Sequence, residues 1–291
     1  MLQDELNKII EYVAGPELAD EVHKAKKEYQ KIVGNIFEDD RSFENRMASF
    51  LEWYTFDRTI DNGTMTPLLA FIEKHQADCP AETLEIYENL ARHIHGIFVV
   101  KKIKPDYVVV LNLFDKSKYK VQEKQSELIF RKHDIFEARI VPYSGEYYFT
   151  GAYCFHPQKA LKVIKLGIDR LNDEKRQSEN ELKKMREKKD SLADEAKKLE
   201  SKIEKIERKI ERSRSIMETH ILEEKKNLLK KKKSALKNEY ADLEKKITEM
   251  LEQTFNKEIP QARNRLMQKF SYMSLKWERF RQIDIKDIYR I

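Results

Sequence analysis

LKVIKLGIDRLNDEKRQSENELKKMREKKDSLADEAKKLESKIEKIERKI, residues 161–210, decides how this chain is organised. Alternate steps of three and four from Leu161 reach Ile164, Ile168, Leu171, Lys175, Ser178, Leu182, Met185, Lys189 and Leu192. They continue through Ala196, Leu199, Ile203, Ile206, Ile210, Ser213, Met217 and His220, and thirteen of these eighteen positions are apolar. The flanking positions are almost all charged. An apolar repeat of 3.5 residues sustained this long lays one stripe along a helix, the pattern of a coiled coil. Between Pro157 and Pro260 there is one glycine, Gly167, and no proline to interrupt it.

A second frame, out of register with the first, runs through Leu222, Leu229, Leu236, Tyr240, Leu243, Ile247 and Met250. The phase break near Met217–Leu222 has two readings. A skip within one rod leaves a helix roughly 150 Å long at 1.5 Å per residue, and implies a dimer. A reversal near Arg212–His220 zips the frames into an antiparallel hairpin within one chain. No Gly, Asn or Pro marks a turn there, and both readings stay open. The partners expected are thus a second copy of the chain or its own other arm. After Pro260 a last helix carries Leu266, Phe270, Met273, Trp277 and Phe280 as an aromatic stripe among Arg263, Arg265, Lys269, Lys276, Arg279 and Arg281.

Upstream, residues 1–95 read as short helices. Gly15-Pro16 separates the first from a second starting near Glu17. Asp40-Arg41-Ser42 offers caps for a third, with Phe43, Met47, Phe50, Leu51 and Tyr54 at helical spacing. Asp61-Asn62-Gly63 is a turn, Thr66-Pro67 opens another helix, and a final one runs from Ala81 to His93. The period then changes. Ile97–Ile103, Tyr107–Phe114, Lys118–Gln122, Ile135–Val141 and Glu146–Tyr153 are β-branched and aromatic, with turn residues between them. The expectation is an α+β chain in four parts. A helical region (1–95) and a small antiparallel sheet or barrel (96–155) form one head, a coiled coil covers 157–259, and an amphipathic helix 260–291.

The chain is 37% charged, well above the quarter usual in globular proteins. Residues 1–155 hold 20 basic and 26 acidic side chains and the remainder 37 and 25, an acidic head on a basic tail. Two cysteines, Cys79 and Cys154, are too few for a disulfide framework. The opening Met1-Leu2-Gln3-Asp4-Glu5 is no secretory signal, and the longest apolar run, Val108–Leu111, cannot span a bilayer. A cytoplasmic location is expected, with no transmembrane segment.

Phe50-Leu51-Glu52-Trp53-Tyr54-Thr55-Phe56-Asp57-Arg58, followed by Gly63 and Thr66-Pro67-Leu68, resembles a motif in an uncharacterised bacterial family. In that family a helical N-terminal region precedes a β segment similar to Val108–Asp115, Tyr119–Glu123, Ala138–Pro142 and Tyr148–Gly151. The resemblance covers residues 40–155 and implies no activity. Some relatives carry a Cys-rich metal motif at the C-terminus; this chain lacks those cysteines, so no zinc is implied.

Candidate chemistry is sparse. His93 and His95 would share a face on a strand, but Cys79, His133 and His156 add no ligand spacing, so neither a metal nor a cofactor is expected. Asp57-Arg58 reads as a structural ion pair. There is no phosphate-binding glycine loop and no nucleophile motif. The remaining candidates bind partners. Lys230, Lys231, Lys232 and Lys233 are a footprint for phosphates or a solvated helix surface. Trp277 and Phe280 face a ligand or dock on the head. The leading expectation is a non-enzymatic protein-interaction or scaffold protein with its head on a coiled-coil spacer. The second is a nucleic-acid-binding protein, using the β unit with Lys101, Lys102, Lys104, Lys116, Lys118 and Lys120, and the basic tail.

Overall fold

The computed structural model describes residues 1–60, 65–124 and 126–290. They form two units, Met1–Arg170 with Arg263–Ile291, and Leu171–Ala262. In the first, helices α1 (Leu2–Val13), α2 (Ala19–Val33), α3 (Phe43–Phe56), α4 (Pro67–His75) and α5 (Ala81–Ala91) surround one apolar cluster. Leu6, Ile9 and Val13 of α1 fall at helical spacing and meet Phe50 and Tyr54 of α3, Phe71 of α4, and Ile86 and Leu90 of α5 there, all buried. The Thr66 cap forms as the sequence predicts, its hydroxyl accepting from Leu69 N–H at 3.4 Å. Ser42 stands at the N-cap of α3 but its side chain takes no hydrogen bond from the helix backbone. Its hydroxyl instead accepts from Arg46 Nε at 2.7 Å and donates to Glu278 at 2.6 Å. The turn read at Asp61-Asn62-Gly63 lies outside the described residues.

The helix expected to reach His93 stops at Ala91, and β1 (Ile94–Lys104) starts at once. With β2 (Tyr107–Asn112), β3 (Lys118–Gln122), β4 (Ile135–Tyr143) and β5 (Glu146–Phe149) it makes a closed barrel. Its order is β1-β2-β3-β5-β4, with β4 pairing back onto β1. β3 and β5 run parallel, and α6 (Ser126–Ile129) lies between β3 and β4 in the chain. This closed five-strand order is that of an OB-type barrel. Ser144 and Gly145, both at positive φ (49° and 77°), close a two-residue hairpin between β4 and β5, as its geometry requires. The strand expected over Glu146–Tyr153 is broken. Gly151, at φ 113°, turns the chain, and a short β6 (Cys154–His156) resumes along β4. A Cβ at that φ would be strained.

Phe98, Val100, Val108, Val110, Val121, Phe136 and Ile140 fill the barrel. Ile97, Val99 and Ile135 point outward and are covered by Ile164 and Ile168, at the start of α7 (Leu161–Arg212), and by Met267, Phe270 and Met273 of α9 (Ile259–Arg279). The C-terminal stripe is thus buried at Phe270 and Met273, half-buried at Trp277 and 43% exposed at Phe280. Past α9, α10 (Ile285–Ile288) brings Tyr289 into the same cluster.

In the second unit α7 and α8 (Ile216–Met250) run antiparallel. The ion pairs Lys188–Glu239 (2.7 Å), Lys189–Glu244 (2.8 Å), Lys232–Glu195 (3.0 Å) and Lys230–Glu207 (3.3 Å) join them within one chain. Leu171, Leu182, Leu192, Leu199, Ile203 and Ile206 of the heptad stripe are buried, as is Ile247 of the second frame. The reversal needs no glycine. Ser215 caps α8, its hydroxyl accepting from Glu218 N–H at 3.4 Å, and Ser-x-x-Glu is a helix-start signature. Before α9 the helix widens into a π-helical stretch, Leu251–Glu258. Pro260 follows, and its missing N–H forbids a regular ladder across that junction.

Candidate nucleic-acid interface

Strand alternation and one irregularity arrange the basic segment of the barrel. Val108, Val110 and Val121 are fully buried in the interior, so Tyr107, Val109 and Leu111 of β2 and Lys118, Lys120 and Gln122 of β3 face outward. Opposite pairs are Tyr107 with Gln122, Val109 with Lys120 and Leu111 with Lys118. In β1 strict alternation from inward-facing Val100 would turn Lys102 and Lys104 into the core. A bulge between Val100 and Lys102 inserts Lys101 and reverses the alternation, which moves Ile103 inside and both lysines out. Lys102 then stands opposite Val109, and Lys104 opposite Tyr107.

The result is one outward face with Lys102, Lys104, Lys118 and Lys120 around Tyr107 and Val109. Lys120 Nζ lies 4.9 Å from the Tyr107 ring centroid and 3.3 Å from Glu146. Both contacts are solvent-exposed and weak, and an anion can displace them. Lys116 is turned away, donating to Leu113 C=O at 2.7 Å with Asp169 at 3.6 Å. A positively charged sheet with an aromatic side chain can neutralise phosphates while a base stacks on the ring.

The barrel is tied to the helices by a buried charge network. Arg139 of β4, 3% exposed, pairs with Glu52 at 2.9 Å and with Asp57, both from the motif 50–58. His95 stands opposite Arg139 in β1, its Nδ1 3.2 Å from the guanidinium and its Nε2 3.0 Å from Glu137. Burial holds the Glu52 carboxyl above its usual range despite Arg139. Burial, then Arg139, hold His95 well below its own. Asp57 and Arg58 pair separately rather than with each other, since Arg58 binds Glu21 (2.6 Å) and Glu28 (2.8 Å). His93 packs on Phe56 at 4.6 Å and bonds Leu90 C=O, and it makes no hydrogen bond to Arg139 or Glu137. Burial pushes its pKa down to about 3. A folded value below the unfolded 6.5 means that stability is full above pH 6.5 and falls as pH drops below it. Urea midpoints should therefore report a loss of about 1–2 kcal/mol from His93 between pH 6.5 and 5. That part should be absent in His93→Gln.

The lysines singled out in the tail sit elsewhere. Lys230, Lys232 and Lys233 of α8 pair with Glu207, Glu195 and Glu200 of α7, while Lys231 is exposed. Trp277 lines a cavity of about 350 Å³ together with Arg46, Cys154, His156 and Glu278. Phe280 does not line that cavity. The lysine run belongs to the second unit and the two aromatics to the first.

The profile of a family of unknown function, DUF7986, matches residues 4–190. The chain belongs to that family. No curated protein and no solved structure matches it. The DUF7986 match takes in nearly all of α1, the other head helices, the whole barrel and the first part of α7. It exceeds the stretch 40–155 that carries the resemblance in sequence. Among the described residues no helix is long and apolar enough to cross a membrane.

Proposed function

We propose that this DUF7986 protein is a non-enzymatic single-strand nucleic-acid-binding protein, and that the outward face of β1, β2 and β3 holds the strand. The observation behind the reading is the bulge at Lys101, which brings Lys102 and Lys104 onto the same face as Lys118, Lys120 and Tyr107. Lysines contact phosphates, and Tyr107 stacks a base once Lys120 has moved to the backbone. The β2–β3 side is where barrels of this type bind oligonucleotides. Here that is an argument from fold, and the lysine pattern makes it specific. The arm Leu171–Ala262 serves as an antiparallel coiled-coil spacer, with three of the four lysines at 230–233 occupied by glutamates rather than by phosphate. The setting is the cytoplasm.

A scaffold function is the second reading. Ile216 (91% exposed), Met217 (78%) and Ile221 (59%) stand open beside the reversal of the hairpin and suit a protein partner or a second copy of the chain. Binding of an oligothymidylate of roughly 12 nucleotides, followed by fluorescence anisotropy, separates the two readings. The nucleic-acid reading expects log K to fall linearly with log salt, with a slope near −2.8, about −0.7 for each of four contacts. No binding at low salt overturns it and leaves the scaffold.

A further inference from the structure

β6 is the strand that the sequence does not announce, and its register assembles a second cluster. Cys154 lies opposite Glu137 of β4, and His156 opposite Ile135. Alternation puts Phe155 on the far side, against Phe136 at 5.6 Å. Cys154 and His156 therefore share a face with Glu137, and one ligand atom from each of the three lies within 4.8 Å of the others. Tetrahedral ligands around a zinc-sized ion stand about 3.3–3.8 Å apart, so side-chain rotations of less than an ångström or so close the set.

Three features of the surroundings point to a cation. His156 is 5% exposed, and its Nε2 has no hydrogen-bond partner among the described residues. Its Nδ1 lies 3.1 Å from the Tyr289 hydroxyl, so with the proton on Nδ1 the lone pair of Nε2 is free for a metal. Glu137 is oriented by His95 Nε2 at 3.0 Å and by the Ser271 hydroxyl, which donates at 2.8 Å. Such outer partners fix the direction of a ligating carboxylate. Cys154 and His156 also line the cavity of about 350 Å³, beside Ser271 and Ser274, which leaves a fourth position open to it. A buried imidazole beside a half-buried thiol and carboxyl is costly unless its polar atoms are satisfied. One divalent ion answers all three: a Cys154 thiolate and a Glu137 carboxylate balance its two charges, and neutral His156 completes the donor set.

We infer that Glu137, Cys154 and His156 bind a divalent transition-metal ion of the zinc type, with its remaining position facing the cavity. The mixed sulfur, nitrogen and oxygen donor set suits zinc and disfavours magnesium or calcium. Binding forms bonds to Sγ, Nε2 and a Glu137 oxygen, and the Cys154 S–H proton leaves to water. The site is independent of the outward face of β2 and β3.

Cobalt(II) tests it directly, because a thiolate ligand gives a near-ultraviolet sulfur-to-cobalt charge-transfer band and tetrahedral sites absorb in the visible. The full chain, stripped with chelator, should take up one Co²⁺ with both signatures, and Zn²⁺ should bleach them. Cys79→Ser should keep the charge-transfer band and Cys154→Ser should lose it. His156→Gln removes a ligand and should weaken binding by roughly a hundredfold or more, at least the loss seen for outer partners. No charge-transfer band in the unsubstituted chain would overturn the inference. So would a band that survives Cys154→Ser or depends on Cys79, or a Co²⁺ affinity unchanged in His156→Gln.

Discussion

Arg139→Met should destabilise the head by about 3–5 kcal/mol, the largest single-residue effect expected in this protein. The methionine fills most of the space but leaves Glu52 and Asp57 buried beside each other without the guanidinium that joins them. Glu52 already sits above its usual carboxylate range with Arg139 present, because burial outweighs the attraction. Without Arg139 burial is unopposed by that charge, which shifts the Glu52 carboxyl further towards its protonated form. Urea denaturation followed by circular dichroism should show the loss at pH 7. Adding Glu52→Gln should recover part of it, since an amide needs no counter-charge. A variant as stable as the parent at pH 7 would mean that the network does not hold barrel and helices together.

Replacing Lys102, Lys104, Lys118 and Lys120 together with Gln should nearly abolish single-strand binding. Four phosphate contacts at about 0.7 each account for a log–log salt slope near −2.8, and their removal should bring it towards zero. At low salt the affinity should fall by roughly a hundredfold or more. Folding should be untouched, because all four side chains lie on the outward face, where substitutions seldom exceed about 0.5 kcal/mol. Replacing Lys230, Lys231, Lys232 and Lys233 should change the slope little. The opposite ranking of the two variants would place the binding surface on the arm.

The contrast between those lysine groups shows what a single sequence reveals. The heptad stripe was legible because its period is long and its partners are apolar; Leu182, Leu192 and Leu199 are buried where the repeat puts them. The lysine run at 230–233 was conspicuous by composition alone, yet its glutamate partners lie tens of residues away on α7 and have no local signal. The barrel lysines were visible as residues, but which way Lys102 and Lys104 face depends on the bulge at Lys101, set by pairing with β2. The reversal at Ser213–Ser215 carried a readable mark, Ser215 three residues before Glu218, that a search for glycine and proline passes over. Cys154-Phe155-His156 has the alternation of a strand, but three residues are too short for a period. Only Gly151 and the pairing with Glu137 make it one.

Photocrosslinking of an oligothymidylate to the full chain, with mapping of the modified peptides, tests the central claim most directly. The account predicts adducts within Lys102–Gln122, with Tyr107 foremost, and their loss as salt is raised. Adducts confined to Leu171–Ala262, or none at low salt, would contradict it.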